Sequence, residues 1–219
     1  PNLVVFLVDD LGWQDVSLAF DVERTPQNDR FRTPNVERLA ERGVRFTQGY
    51  ASAPVCTPTR VALMTGQTPA RLGITYWILN AGKDTSAAFE GIDPPAWNTD
   101  GLQPGAVTLP ALLSDAGYRT IHVGKAHLGA RGTAGSDPTS LGFDVNVAGH
   151  GAGGPGSYLG KNDFSAAHRG GGRVWDVPGL DDVHGQDVYL TEVLAERACD
   201  EVRAAVEAKT PFFLHMAPY

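Results

Sequence analysis

The sequence predicts an α/β fold, a mainly parallel sheet flanked by helices, and three observations carry that expectation. Residues 2–8 (NLVVFLV) are a short, uninterrupted apolar run rich in β-branched side chains, the pattern of a strand covered on both faces. Further short apolar runs alternate with helical stretches instead of pairing through tight hairpins. Chemistry-bearing residues follow the strand ends, where open parallel sheets gather ligands.

After the first strand, Asp9 and Asp10 open a polar loop that leads to Thr33-Pro34, an N-cap with proline at the first helical position. That helix is expected to reach about Arg42 and stop at Gly43, with a strand over residues 44–50. Thr57-Pro58 opens a short helix closed by Gly66, which leaves Cys56 facing its free N–H groups. Thr108 caps a helix through Ala116, and residues 119–123 (RTIHV) form a strand that leads into residues 124–129. Within residues 186–208, Leu190, Val193, Leu194, Ala198, Val202, Ala205 and Val206 recur at helical spacing as one apolar stripe. Residues 212–216 (FFLHM) make the last strand.

From Gly142 to Gly185 there are 12 glycines without a repeat. Phe143, Tyr158, Phe164 and Trp175 give this stretch apolar surface to bury, so it reads as a long ordered loop. The 219 residues, 42% hydrophobic and 20% charged, suit one globular domain at the large end of single-core size. A net charge of −7 argues against a nucleic-acid partner, which requires a basic face. No apolar run reaches the roughly 18 to 20 residues that cross a bilayer. The start lacks both an initiator methionine and the basic n-region of a leader, so the chain reads as an excerpt already cut at its N-terminus, an end from which no compartment can be read. Two cysteines are too few for a disulfide framework: Cys199, on a helical pattern, reads as a small core residue, whereas Cys56 sits at a helix start.

Three segments carry the chemistry. Residues 53–65 read APVCTPTRVALMT, in which Cys56 meets the positive end of a helix and Arg60 follows one turn on. Asp9 and Asp10 supply the hard carboxylate oxygens that calcium or magnesium takes, although adjacent acids after a strand also serve as turn residues. Residues 124–129 read GKAHLG, a glycine-bounded loop with Lys125 and His127.

Together these segments resemble the sulfatase family. C-x-P-x-R at residues 56–60 is similar to the family signature, the approach at residues 33–50 and the following MTG are similar too, and GKAHLG resembles G-K-W-H-L-G with Ala126 where tryptophan is usual. The resemblance implies the N-terminal catalytic part of an alkaline-phosphatase-like domain that lacks its C-terminal portion. It implies that a maturation enzyme oxidises Cys56 to formylglycine, whose hydrate displaces at sulfur and then collapses to release sulfate. It assigns a divalent metal, calcium with magnesium as the alternative, to Asp9, Asp10 and the modified Cys56. It makes Arg60 the holder of position 56, Lys125 a cation on the sulfate and His127 a proton carrier at the diol, with Lys125 and His127 touching substrate. The leaving-group acid of the family follows the last strand and is not His215. Residues 137–161 are similar to bacterial enzymes acting on sulfated polysaccharides, which implies a sulfated saccharide substrate and a periplasmic or extracellular location. The alternatives are a phosphate or phosphonate monoester hydrolase of the same superfamily, a non-catalytic binding fragment, and a thiol enzyme using unmodified Cys56. His122 and His215 read as core residues within strands, and His150 as a solvated loop residue.

Overall fold

A computed structural model describes residues 1–20, 23–86, 90–92 and 95–219. The chain divides into two compact units, Pro1–Leu7 with Ser52–Tyr219, and Val8–Ala51.

The larger unit is organised by a parallel sheet of β1 (Leu3–Phe6), β2 (Arg119–Gly124), β3 (Val145–Val147) and β4 (Phe212–Ala217), in the order β1-β4-β2-β3. The central strands β4 and β2 are the apolar runs read from the sequence, and they are buried. Their period of two sorts the core. Ile121, Val123, Phe212, Leu214 and Met216 face the helix α5 (Leu190–Glu207), where Leu190, Val193, Leu194, Ala198 and Ala205 are buried against them. Phe213 points to the other side and joins Val61 and Met64 of α2 (Cys56–Thr65), Ile74, Leu128 and Phe143. A short helix α3 (Pro69–Leu72) follows α2, and α4 (Leu109–Asp115) is capped as expected, the Thr108 hydroxyl accepting from the Ala111 N–H at 3.3 Å.

Several expectations need correction. β1 is an edge strand, not one covered on both faces. Val4 and Phe6 are 59% and 61% exposed, although their register partners Leu214 and Met216 are buried beneath α5. An apolar run marks a strand, but its cover depends on its place in the sheet. Helix α5 begins at Leu190 because the chain before it turns at Gly185 and is then tied to residues 158–160: Gly160 N–H donates to the Val188 carbonyl, Gly185 N–H to that of Gly160 and Leu190 N–H to that of Tyr158, with Tyr189 bridged to Leu159. Val206 lies off the buried stripe and is exposed. Cys199 is exposed too, not a core residue, since it stands on the same helix face as Glu196 and Arg203, away from Ala198. In the glycine-rich stretch Phe143 and Phe164 are buried as expected, Trp175 is half-buried and Tyr158 is exposed. That stretch also contributes β3, which its sequence did not announce.

The smaller unit is ordered by polar contacts. Asn28 is buried, and its amide donates to the carbonyls of Val16, Gln14 and Leu18 while its oxygen accepts from the Thr25 N–H and hydroxyl. Ser17 and Thr33 exchange backbone-to-hydroxyl bonds at 2.9 and 2.8 Å. Thr33 is the N-cap of α1 (Pro34–Ala40), but its hydroxyl serves Ser17 and makes no capping bond. Residues 44–50 are not a strand: they are exposed and pair with no strand among the described residues.

On the α2 side of the sheet, paired positions of β2 and β4 carry His122 and His215. The His122 Nε2–H donates to the Gly124 carbonyl at 2.9 Å, so its Nδ1 accepts from His215 Nδ1–H at 3.0 Å. Burial, partly offset by the Gly124 bond and reinforced by the Arg60 charge, lowers His122 to about 4. Burial first, and then the Arg60 charge and the repulsion that a protonated His122 would add, hold His215 well below its ordinary value of 6.5. The unfolded chain therefore binds more protons than the folded one between pH 6.5 and the depressed values. Stability falls as pH drops through that window, by up to about 1.4 kcal/mol per pH unit for each ring, and these groups leave it flat above about pH 7. In an NMR titration of the full-length protein both rings are expected to stay neutral at pH 5 while the melting temperature declines. A midpoint near 6.5 for either ring contradicts this packing.

Candidate functional site

Helix α2 starts at Cys56, two residues before Pro58, with extended Val55 as its N-cap. Pro58 lies in the first turn, where its missing N–H leaves no bond unmade. Among the described residues no side chain caps this end, and Cys56 is half-buried at the positive end of the helix dipole. The approach is pinned by Thr59, whose hydroxyl accepts from the Ala53 N–H at 3.0 Å and donates to the Ala53 carbonyl at 2.7 Å.

The loop after β2 is shaped by close backbone contacts. Gly124 has φ +97°, and a Cβ there would lie 2.1 Å from the Ala217 carbonyl oxygen, so only glycine fits. Gly129 packs on Gly135, where a Cβ would meet backbone at 2.3 Å. Between these glycines Lys125, Ala126 and His127 are all buried, Lys125 at 2% and His127 at 1% exposure, where a plain surface loop would leave the two polar residues in water. The Lys125 N–H donates to Ala217 at 2.7 Å. Its carbonyl accepts from Nη1 of Arg60, itself 1% exposed, at 2.6 Å. Arg60 thus reaches from the helix that begins with Cys56 and grips the peptide of Lys125.

A second path joins the same two segments. The Thr57 hydroxyl accepts from the Ile78 N–H at 3.3 Å, and the Ile78 carbonyl accepts from Nε2–H of His127 at 2.5 Å. A carbonyl only accepts, so Nε2 carries the proton and Nδ1 is the basic nitrogen of the neutral ring. His127 has φ +53°, and its N–H donates to the His150 carbonyl at 3.0 Å. Gly153 lies flat on the ring, where a Cβ would come within 2.8 Å of Nδ1.

His150 is not the solvated loop residue expected. The Tyr219 hydroxyl donates to the Ala148 carbonyl at 2.7 Å, so the His150 Nδ1–H donates to the Tyr219 oxygen, also at 2.7 Å. Burial and the nearby Arg131 charge lower His150 to about 4, and burial raises Tyr219 above its usual range. The pair supports the carbonyl that holds His127.

The elements bearing Cys56, Arg60, Lys125 and His127 are therefore brought together in one unit. Asp9 and Asp10 belong to the smaller unit, Asp9 half-buried and Asp10 exposed with φ +53°. Their carboxylate oxygens suit a hard divalent cation in kind. Among the described residues no three His, Cys, Asp or Glu side chains form a metal-holding group, so the fit rests on donor chemistry. The sequence does not point to Ile78, Gly153 or Tyr219 as parts of the site; Thr57 carries a signal through the CTPTR motif and His150 through its place in the glycine-rich loop, where it reads as solvated.

Compared with known proteins, the chain matches the family Sulfatase over residues 1–219. N-acetylgalactosamine-6-sulfatase of Canis lupus familiaris is 30% identical over 224 residues, covering 99% of this chain and 39% of that protein. Human steryl-sulfatase is 37% identical over 129 residues, 59% of this chain and 19% of its own. The crystal structure of Ps i-CgsB superposes with a TM-score of 0.70 at 27% identity, over 99% of this chain and 44% of that one, and its complex with k-i-k-neocarrahexaose gives 0.66 at 25% identity, over 100% of this chain and 44% of that one. The chain thus spans about two fifths of the canine enzyme and of Ps i-CgsB.

Tyr219→Phe in the full-length protein removes the donor to Ala148 and the acceptor for His150. It is expected to lower stability by about 1–3 kcal/mol in chemical denaturation and to reduce turnover through His127. Unchanged denaturation and kinetics would remove the pair from the site.

Proposed function

This chain belongs to the sulfatase family, and from that premise we propose that the protein it comes from hydrolyses sulfate esters of a carbohydrate, with Cys56, Arg60, Lys125 and His127 as its working residues. The observation that carries the reading is the double link between the start of α2 and the 124–129 loop, through Arg60 to Lys125 and through Thr57 and Ile78 to His127.

Position 56 would hold formylglycine made from cysteine by a maturation enzyme, and its hydrate supplies the oxygen nucleophile. Asp9 and Asp10 would hold the divalent cation, calcium before magnesium, which lowers the pKa of a bound oxygen and neutralises charge. The helix end at Cys56 favours a tetrahedral anion there through unsatisfied N–H groups and the dipole. Lys125 supplies a cation in a site shielded from water, where opposing the charge that builds on sulfate oxygens counts for more than in solution. His127, with Nε2–H committed to Ile78, presents Nδ1 as the atom that takes a proton. Arg60 is a positioning residue that fixes the peptide of Lys125.

A saccharide sulfate is supported by the resemblance to N-acetylgalactosamine-6-sulfatase and by the neocarrahexaose complex of Ps i-CgsB. The segment similar to human steryl-sulfatase favours a second reading, a fused-ring alcohol as leaving group. Release of sulfate from matched saccharide and steryl esters separates the two. Among the described residues no helix is long and apolar enough to cross a membrane; export to the periplasm or cell surface is part of the proposal.

Mass spectrometry of the peptide carrying position 56, from protein made in its native host, is expected to find an aldehyde in place of the thiol. Cys56→Ala in the full-length enzyme is expected to lower kcat by about 10³-fold or more, and Lys125→Ala by about 10²-fold. Normal turnover by the Cys56→Ala variant would sink this mechanism.

A further inference from the structure

Two imidazoles stand beneath the 124–129 loop, and neither has a role in the reaction proposed above. His122 and His215 occupy paired positions of β2 and β4 and are fully buried. The Gly124–Lys125 peptide is held at both ends: its carbonyl accepts from His122 Nε2–H at 2.9 Å, and its N–H donates to the Ala217 carbonyl at 2.7 Å. The next carbonyl, that of Lys125, accepts from Arg60. His122 therefore fixes the peptide from which Lys125 follows. The same ring is also the floor of a second segment. Gly149 lies so close that a Cβ there would come within 2.6 Å of His122 Cδ2 and 2.8 Å of Nε2. Gly149 stands between Ala148, whose carbonyl accepts from the Tyr219 hydroxyl, and His150, whose carbonyl holds the His127 N–H. One imidazole thus supports both the segment that carries Lys125 and the segment that holds His127.

A brace of this kind needs one donor, yet the fold uses a second histidine. With Nε2–H committed to Gly124, His122 Nδ1 only accepts, and His215 Nδ1–H supplies the donor at 3.0 Å. The Phe143 ring closes the couple, edge-on to His122 at 5.3 Å between centroids and stacked on His215 at 6.2 Å. His215 Nε2 is then the lone pair on which the neutral couple can take a proton, and it is buried without a hydrogen-bond partner among the described residues. A bare buried lone pair costs stability, so bracing alone does not account for the second ring. Among the charged and titratable groups of the elements packed here, Arg60 of α2 acts on both rings. Tyr118 precedes β2 and packs with Leu109 and Leu113 of α4 against the same core. Beside β3 the carboxylates of Asp137 and Asp144 accept from Asn146 and Thr120, and Lys125 and His127 follow in the loop itself. A proton added to the couple would meet the Arg60 charge in surroundings without water to screen it.

We propose that His122 and His215 are positioning residues of the reaction, a neutral couple that sets the peptide of Lys125 directly and the carbonyl holding His127 through Gly149, and that a single added proton sets against Arg60. The proposal rests on the sulfatase reading. Burial first, and among other causes the Arg60 charge, hold both rings low, His122 at about 4, so the couple is neutral near pH 7 and its bonds are intact. Uptake of the proton repels Arg60 and loosens its bond to the Lys125 carbonyl, and Lys125 then loses its place on the sulfate.

The test measures sulfate release from an aryl sulfate by the full-length enzyme between about pH 4 and about pH 7, with rates normalised to folded protein by circular dichroism. His122→Phe removes the donor to Gly124 and is expected to lower kcat about tenfold at neutral pH, with KM changed less than about threefold. His122→Gln keeps an amide N–H for Gly124 and an oxygen for His215, and is expected to recover most of that loss. The double variant His122→Gln, His215→Asn retains hydrogen-bonding groups and has nothing that titrates. Its kcat is expected to stay within about threefold of the unsubstituted enzyme at neutral pH and to fall toward acid with about one proton fewer, a change that a purely structural role does not produce. Where His122→Phe fails to fold, the double variant decides. An unchanged acid slope in the double variant, full kcat in folded His122→Phe, or no recovery in folded His122→Gln overturns the proposal, while sulfate release by the unsubstituted enzyme leaves the sulfatase reading standing. Sulfate released by that enzyme from neither an aryl nor a saccharide sulfate overturns both.

Discussion

The peptide of Lys125 is the fixed point on which the candidate site depends. Its N–H is spent on Ala217 at the end of β4, and its carbonyl on a guanidinium that comes from the helix beginning with Cys56. A buried guanidinium is costly to desolvate, and a charge-assisted bond to a buried carbonyl is one of the ways a fold offsets that cost. The same bond sets the spacing between the carboxyl end of the central strands and the helix start. The loop between Gly124 and Gly129 consequently has little freedom, and both glycines are required by backbone that approaches too closely for any Cβ.

The histidines divide according to what holds them. His122 and His215 sit beneath the loop, neutral and bonded to each other, and His122 fastens the Gly124 carbonyl one residue before Lys125. Arg60 contributes to holding both rings neutral, so the cation that grips the loop also keeps its support uncharged. His127 differs because its contacts are directional: backbone N–H to His150, ring N–H to Ile78, and a glycine against the remaining nitrogen. That geometry fixes the ring with Nε2 protonated and leaves Nδ1, unlike that of His122, with no hydrogen-bonded histidine against it.

Much of this was legible in the sequence, and the rest was not for a physical reason. The central strands, α4, the α2 boundary at Gly66 and the CTPTR and GKAHLG segments show in apolar runs, caps and motif spacing, because those patterns record how side chains partition between core and water. What stayed hidden depends on backbone groups meeting across long chain separations. Ile78 joins the site through its peptide alone, and His150 through its carbonyl. The exposure of β1 follows from its edge position, and the absence of a strand at residues 44–50 from the lack of a pairing partner, neither of which a local pattern contains. Cys199 was misplaced because one residue of helical rotation separates it from buried Ala198.

A chain of net charge −7 is an unpromising host for the anion that the proposed function requires, and the burial of its cations bears on that difficulty. Arg60 and Lys125 are among its most buried residues, next to a helix N-terminus, in surroundings where a charge acts over several ångströms without the screening that water gives. Many of its acids lie on the surface instead, as on α5, where Asp200 pairs with Arg203. On the proposed reading, selection for an anionic group follows from where charge is buried, not from how much the chain carries. The histidines below the loop complete the effect by staying neutral, since a protonated ring there would repel Arg60 and loosen the grip that places Lys125.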